Sequence, residues 1–240
     1  MKKLMVVLFL LGMYTAYGAE DLRALDYTDG TYYTIGKSEK APYSGDIKSY
    51  YLNGKLRTEG KISSGKRVGE WISYYDDGTL MSRGNYETGK RAGIWKEYYN
   101  DGNIKSVINY KDGFADGECL EYYANGQISV KANYRNGIYE GEYIEYYPDG
   151  GIKEEGEYKD GNPDGYWMTY GFQRDVTTKG NYKNGFKDGY WWDIYFYRPR
   201  LSARGNYRNG KRDGIWTDDN TDKKGLYKYG IFIKGHQLEE

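Results

Sequence analysis

Cysteine is almost absent from this chain, since Cys119 stands alone among 240 residues. A lone cysteine excludes an internal disulfide framework, so stability has to come from packing. Histidine is as scarce, with only His236, close to the end. That leaves no Ser-His-Asp or Cys-His relay and no imidazole cluster for zinc. Net charge is missing too: 35 Lys and Arg balance 35 Asp and Glu. No basic excess points to DNA, RNA or anionic lipid, and no nucleic-acid partner is expected. Nor does the apolar run Leu4 to Leu11 approach the roughly 20 residues that span a bilayer.

That run follows Lys2 and Lys3 and precedes the small residues Ala16 and Gly18, the pattern of a secretory signal over residues 1–18. No cysteine lies near the cleavage point to carry a lipid. The mature chain is expected to be exported to the periplasm, the envelope or the medium, either soluble or peripherally associated with a membrane.

What the chain has in quantity is glycine (34) and tyrosine (31), with only 38% hydrophobic residues. Tyrosine offers buriable area with a hydroxyl that can stay wet, and glycine offers tight turns, which suits a thin sheet better than a thick core. The glycines keep time. Gly45, Gly69, Gly93, Gly117, Gly141, Gly165 and Gly189 are spaced by 24 residues, and Gly214 follows after 25. Such a period marks a repeat architecture, in which one small unit buries its apolar face by stacking on the next. Residues 45–213 read as seven tandem units. Residues 19–44 read as an N-terminal partial unit, with Gly30 and Gly36 answering Gly54 and Gly60, and 214–240 as a decaying C-terminal cap and tail.

Each unit carries Asn-Gly or Asp-Gly (Asn53-Gly54, Asp77-Gly78, Asp101-Gly102, Asn125-Gly126, Asp149-Gly150) between two aromatic and β-branched runs. This is a hairpin signal, expected as a type I′ turn centred on those two residues. Connections between hairpins are too short for a crossover, so the fold class expected is all-β: an elongated, twisted antiparallel β-meander of 24-residue hairpin repeats. Seven hairpins give 14 strands, each near six residues. Two units break the pattern, at Tyr170 to Arg174 and at Phe196 to Arg200, and a kink or bulge is expected at both.

The period-two alternation of a strand separates two faces. One carries Trp71, Trp95, Trp167 and Trp191, with Ile47, Cys119 and Tyr143 in the same column, opposite Gly60, Gly84, Ala132, Gly156 and Gly180. An indole lying over a cross-strand glycine shields backbone from water, so this is the packed face. The other carries Tyr50, Tyr74, Tyr98, Tyr122, Tyr146 and Tyr170, bordered by Arg57, Lys105, Lys131, Lys153 and Lys179. Rings beside cations can stack on sugars or grip peptide and phosphate groups, so this face is the candidate binding surface. Cross-strand tyrosines also stabilise any sheet, which is the structural alternative for each residue taken singly.

The recurring G-x-W-x-x-Y-Y-x-[DN]-G-x-[LI] followed by N-Y-x-[DN]-G-K-x-[DA]-G resembles the variant MORN repeat of bacterial proteins. It is similar as well to the exported 24-residue repeat proteins of some anaerobes, over about Asp26 to Gly235. The resemblance implies an elongated sheet used for protein or membrane association and no family-wide catalytic residues. Some bacterial relatives are antitoxins, a role that sits poorly with an export signal.

Little else suggests chemistry. Glu97, Glu121, Glu145 and Asp193 recur at strand centres, and equivalent residues two strands apart would lie about 9.6 Å from one another, at the upper end of the inverting-glycosidase range of roughly 6.5–9.5 Å. A repeated ladder without a distinct acid reads more simply as packing. The loop residues Asp112, Asp116, Asp160, Asp164, Asp188 and Asp213 read as turn hydrogen bonding rather than calcium ligands. An outer-membrane barrel is disfavoured, because short strands and acidic residues interrupt the face that would meet lipid. No enzyme, metal or cofactor is expected. The reading is a scaffold for a protein or envelope-polymer partner, with a homodimer through the apolar faces also open. A toxin-neutralising protein and a glycan-binding or glycan-acting envelope protein stand as alternatives.

Overall fold

The computed structural model of the chain describes residues 20–21, 25–35, 41–195, 201–218 and 223–237. The leader expected over residues 1–18, Gly36, and the irregular segment Phe196 to Arg200 lie outside these. From Gly45 to Gln237 the backbone forms a 17-strand antiparallel meander that does not close on itself. Strands pair with their neighbours in sequence: Lys66–Tyr74 joins Leu80–Glu87, which joins Lys90–Tyr98, and so on along the array. The expected hairpins supply all but three strands. Those three, Lys211–Asp218, Lys223–Lys228 and Ile231–Gln237, arise where the repeat was expected to decay, so the hairpin register outlasts the sequence motif.

Strands run to eight or nine residues, longer than the six expected. The reason lies in the turns, which differ from expectation. At Asp77-Gly78 only the glycine is left-handed, at φ 94°. Gly78 N–H donates to the Tyr75 carbonyl (3.0 Å) and Tyr75 N–H to that of Thr79 (2.8 Å). This is a four-residue turn closed by a left-handed glycine and a bulge, not a two-residue type I′ turn. Asp77 is favoured there for its side chain, since Oδ1 accepts from Thr79 N–H at 2.8 Å, and Asn53, Asp101, Asn125 and Asp149 do the same for the residue two places on. True type I′ geometry, with two successive positive φ values, occurs at the opposite edge. Thr88-Gly89 (48° and 86°) and Asp112-Gly113 (54° and 90°) show it, and the strands there extend right up to the turn.

The unit at Tyr170 keeps its turn. Arg174 takes the place of the glycine at φ 66°, and the same pair of backbone bonds closes the loop. No additional kink forms there, because the register shift between Thr169 and Tyr170 is the one found in the regular units. The N-terminal segment is not a sheet-extending half unit. Leu25–Thr28 and Thr31–Thr34 form a separate two-stranded sheet turning at Asp29-Gly30 with type I′ angles of 50° and 71°, so Gly30 answers Gly65 and not Gly54. Tyr32 N–H donates to the Gly65 carbonyl at 2.9 Å, and Leu25 packs with Tyr43, Ile47, Ile62 and Trp71. Glu20–Asp21 lies parallel to the first strand of the meander, covering its edge.

Candidate binding faces

The tryptophan face is buried as expected, with Trp71, Trp95, Trp167 and Trp191 all at or below 5% exposure. The glycine beneath each ring is not the expected one. Trp71 does pair with Gly84 in register, but its indole lies over Gly60 in the preceding strand, where a Cβ would sit 2.4 Å from the ring. The ring of Trp95 covers Gly84, and those of Trp167 and Trp191 cover Gly156 and Gly180. Each indole N–H also reaches back, as in Trp95 Nε1 to the Asn85 carbonyl (2.9 Å) and Trp191 Nε1 to that of Asn181 (2.9 Å). The residue pairs now trade volume: where the ring shrinks to Cys119 or Tyr143, the position beneath grows to Ile108 or Ala132, and Ala132 is fully buried.

Two columns on this face escaped the sequence reading although the N-Y and G-K-R motifs advertise them at the same period. Tyr86, Tyr182 and Tyr207 stand edge-on between successive tryptophans, and Tyr110 and Tyr158 stand edge-on against one each, with centroids 4.9–6.4 Å apart. Cations then cap the indoles: Arg67 lies 4.3 Å over Trp71, Arg91 4.6 Å over Trp95, Lys187 4.0 Å over Trp191 and Arg212 4.2 Å over Trp216. Their stems and head groups cover the outward faces of these indoles.

On the opposite face Tyr50, Tyr74, Tyr98, Tyr122, Tyr146 and Tyr170 each end a strand and are half-buried. Tyr74 donates to Glu59 Oε1 at 3.1 Å and Tyr170 to Glu155 Oε1 at 2.5 Å. Burial and those carboxylates push the Tyr170 phenol up to about 12 and raise Tyr74 as well. The carbonyls of Tyr74, Tyr98, Tyr122, Tyr146 and Tyr170 accept from Tyr51, Tyr75, Tyr99, Tyr123 and Tyr147 of the preceding unit at 2.6–2.7 Å. The ladder is thus anchored in the repeat.

The basic residues expected around it divide. Lys131 and Lys179 belong to this face, Lys131 paired to Glu142 at 2.8 Å and Lys179 lying 4.5 Å from the Trp192 ring. Arg57, Lys105 and Lys153 do not, because each is the extra residue of a bulge: Ser49 pairs with Thr58 but Tyr50 with Leu56. Alternation fails there. Lys153 reaches Glu145 at 2.6 Å, Lys105 lies 3.9 Å from Glu97, and Arg57 sits over Tyr51, all on the tryptophan side. The residue before each tryptophan was also missed, and Ile94, Tyr166, Tyr190 and Ile215 are 50–59% exposed there.

Remaining candidates fall into structural roles. Asp116, Asp164 and Asp188 accept from the backbone N–H of the next connecting turn. Asp193 is buried, held by Lys187 (3.3 Å) and Thr178 (3.2 Å). Burial raises the Cys119 thiol to about 11, which keeps it protonated and inert.

The description MORN repeat variant matches residues 43–61, 67–88, 91–112, 115–136 and 139–160. Residues 43–160 are five tandem MORN repeats of the variant type. The 24-residue step of these matches is that of the opening glycines, each match beginning two residues before one. Beyond residue 160 the antiparallel meander continues through Gln237. No curated protein matches the chain. Among solved structures, the TcdB2-TccC3 crystal structure without the hypervariable C-terminal region aligns with 87% of this chain and 14% of that one, at 11% identity and a TM-score of 0.21. A second TcdB2-TccC3 structure aligns at 8% identity over 79% of this chain and 16% of that one, with a TM-score of 0.16. The chain therefore spans about one-seventh of the first structure's length, and scores this low carry no argument about fold or partner.

Proposed function

We propose that this MORN repeat scaffold is a non-enzymatic, exported protein that holds a protein or envelope-polymer partner along its tyrosine face. One observation carries the choice of face. The tryptophan side is capped by the chain's own Arg and Lys residues, whereas the other leaves Ile94, Tyr166, Tyr190 and Ile215 at least half exposed beside the tyrosine ladder. Apolar and aromatic groups ringed by charge are what a partner surface offers, and repetition multiplies weak contacts. The test is capture from envelope extracts with the wild type beside a Tyr74→Ala, Tyr98→Ala, Tyr122→Ala variant shown to be folded. Partners retained by the wild type should be lost from the variant, and equal recovery would remove the ladder as a site.

A further inference from the structure

Along the tryptophan face one position recurs above the indole of each unit: Arg67, Arg91, Ala115, Tyr139, Pro163, Lys187 and Arg212. Four are cations stacked on tryptophan at 4.0–4.6 Å. Tyr139 replaces the cation with a ring packed between Tyr134 and Tyr158, at 4.5 and 4.9 Å. Ala115 has no indole to cap, since Cys119 occupies that place. Pro163 alone combines an intact tryptophan platform, Trp167, with no side chain able to reach over it.

A cavity opens at that point. It measures about 190 Å³ and is walled by Tyr158, Trp167, Tyr182 and Trp191, with Pro163 at one side and Glu154 among its lining groups. At about 30 Å³ per water that is roughly six waters' volume. The carboxylate of Glu154 is half-buried and forms no hydrogen bond or ion pair with a described residue, while the neighbouring Lys153 is engaged by Glu145 at 2.6 Å. Burial raises the Glu154 pKa, with Glu145 across the strand pair adding to the effect. Two threonines, Thr169 and Thr178, complete the lining, and their hydroxyls are committed to Thr177 and Asp193. With the Trp191 ring already covered by Lys187 and Gly180, the site presents the open face of Trp167, the rings and hydroxyls of Tyr158 and Tyr182 and one carboxylate, a combination that favours a cation carrying methyl groups over a hydrated metal ion or an anion.

We propose that the cavity at Pro163 binds a small organic ammonium ion, a trimethylammonium head group being the best match to its walls. The ligand takes the place that arginine or lysine fills in the neighbouring repeats. The site lies on the opposite face from the partner surface, so the two readings stand or fall separately.

Calorimetric titration of the purified protein with choline tests this against 3,3-dimethyl-1-butanol, its uncharged isostere. Choline should bind saturably, with the isostere weaker by about tenfold or more. Two substitutions then locate the site. Pro163→Lys supplies the repeat's own cation and should abolish choline binding while leaving the thermal midpoint unchanged or higher. Glu154→Gln should weaken binding at least about fivefold without loss of stability. No choline binding by the wild type, equal binding of the isostere, or undiminished binding in folded Pro163→Lys would each overturn the proposal. Co-sedimentation with phosphatidylcholine vesicles distinguishes the source: choline-competable retention assigns the head group to a lipid, and free-choline binding without retention assigns it to a solute.

Discussion

Single residues in this array are constrained by what the 24-residue copy requires, and departures from the copy are therefore legible as costs. Arg174 is one. It holds the left-handed conformation that glycine holds in the regular units, at φ 66°. A non-glycine residue there costs on the order of 1–2 kcal/mol, part of which glycine's extra freedom in the unfolded chain returns. Its exposed ion pair with Asp149, at 4.0 Å, contributes little. Arg174→Gly should therefore raise stability by roughly 0.5–1 kcal/mol in urea unfolding. Glu154 is a second departure. Its folded pKa is raised by burial, so the folded state binds the proton more tightly than the unfolded chain does. The ionised carboxylate thus opposes folding at neutral pH, and that cost disappears as pH falls below the unfolded value of about 4.3. Glu154→Gln is expected to raise the thermal midpoint at pH 7 and to match the wild type near pH 3.5. A midpoint lowered at pH 7 would show that Glu154 has a stabilising partner.

At the scale of the hairpin, the volume trade between each ring and the position beneath it is the packing rule. Gly84 lies under Trp95, whereas Ile108 lies against Cys119. Cys119→Trp alone drives an indole into Ile108 and should cost about 1–3 kcal/mol. Ile108→Gly alone uncovers backbone and loses apolar contact, costing on the order of 2 kcal/mol. The double variant rebuilds the regular pair and gives the ring a neighbour in Tyr110, so a coupling of at least about 1 kcal/mol in the stabilising direction is expected from the cycle. Additive losses would show that the trade is coincidental. The hairpin, its meander connectivity and the buried Trp column were legible because period, turn residues and alternation all follow from local chemistry. Two things were not. A strand has two neighbours, so facing Gly84 in register did not reveal that Trp71 lies over Gly60. Alternation also holds only as far as the next bulge, which moved Arg57, Lys105 and Lys153 off the tyrosine face. The cavity at Pro163 was hidden for a related reason: it is the absence of a side chain, visible only once the column above the tryptophans has a known occupant.

For the molecule as a whole, the meander means that the described strands after Gly45–Tyr50 pair with their sequence neighbours and not with distant strands. Stability should then be a sum of unit and neighbour terms, and a local injury should stay local. Gly84→Ala is a sharp injury, because a Cβ there would lie 2.2 Å from the Trp95 ring. It should cost roughly 1–3 kcal/mol by overpacking. Native-state hydrogen exchange reads where that loss is felt. Protection is expected to fall in Lys66–Tyr74, Leu80–Glu87 and Lys90–Tyr98, while Phe186–Tyr195 and Leu201–Arg208, five units further on, keep their wild-type rates. A uniform fall would mean that the sheet unfolds as one cooperative body, with the aromatic ladder on the tryptophan face as one route of coupling between units. The ladder is broken at Cys119, where Tyr110 and Tyr134 have no ring between them. The Cys119→Trp, Ile108→Gly pair, by filling the gap, should then spread the effect of Gly84→Ala further toward the C-terminal strands than it spreads in the wild type.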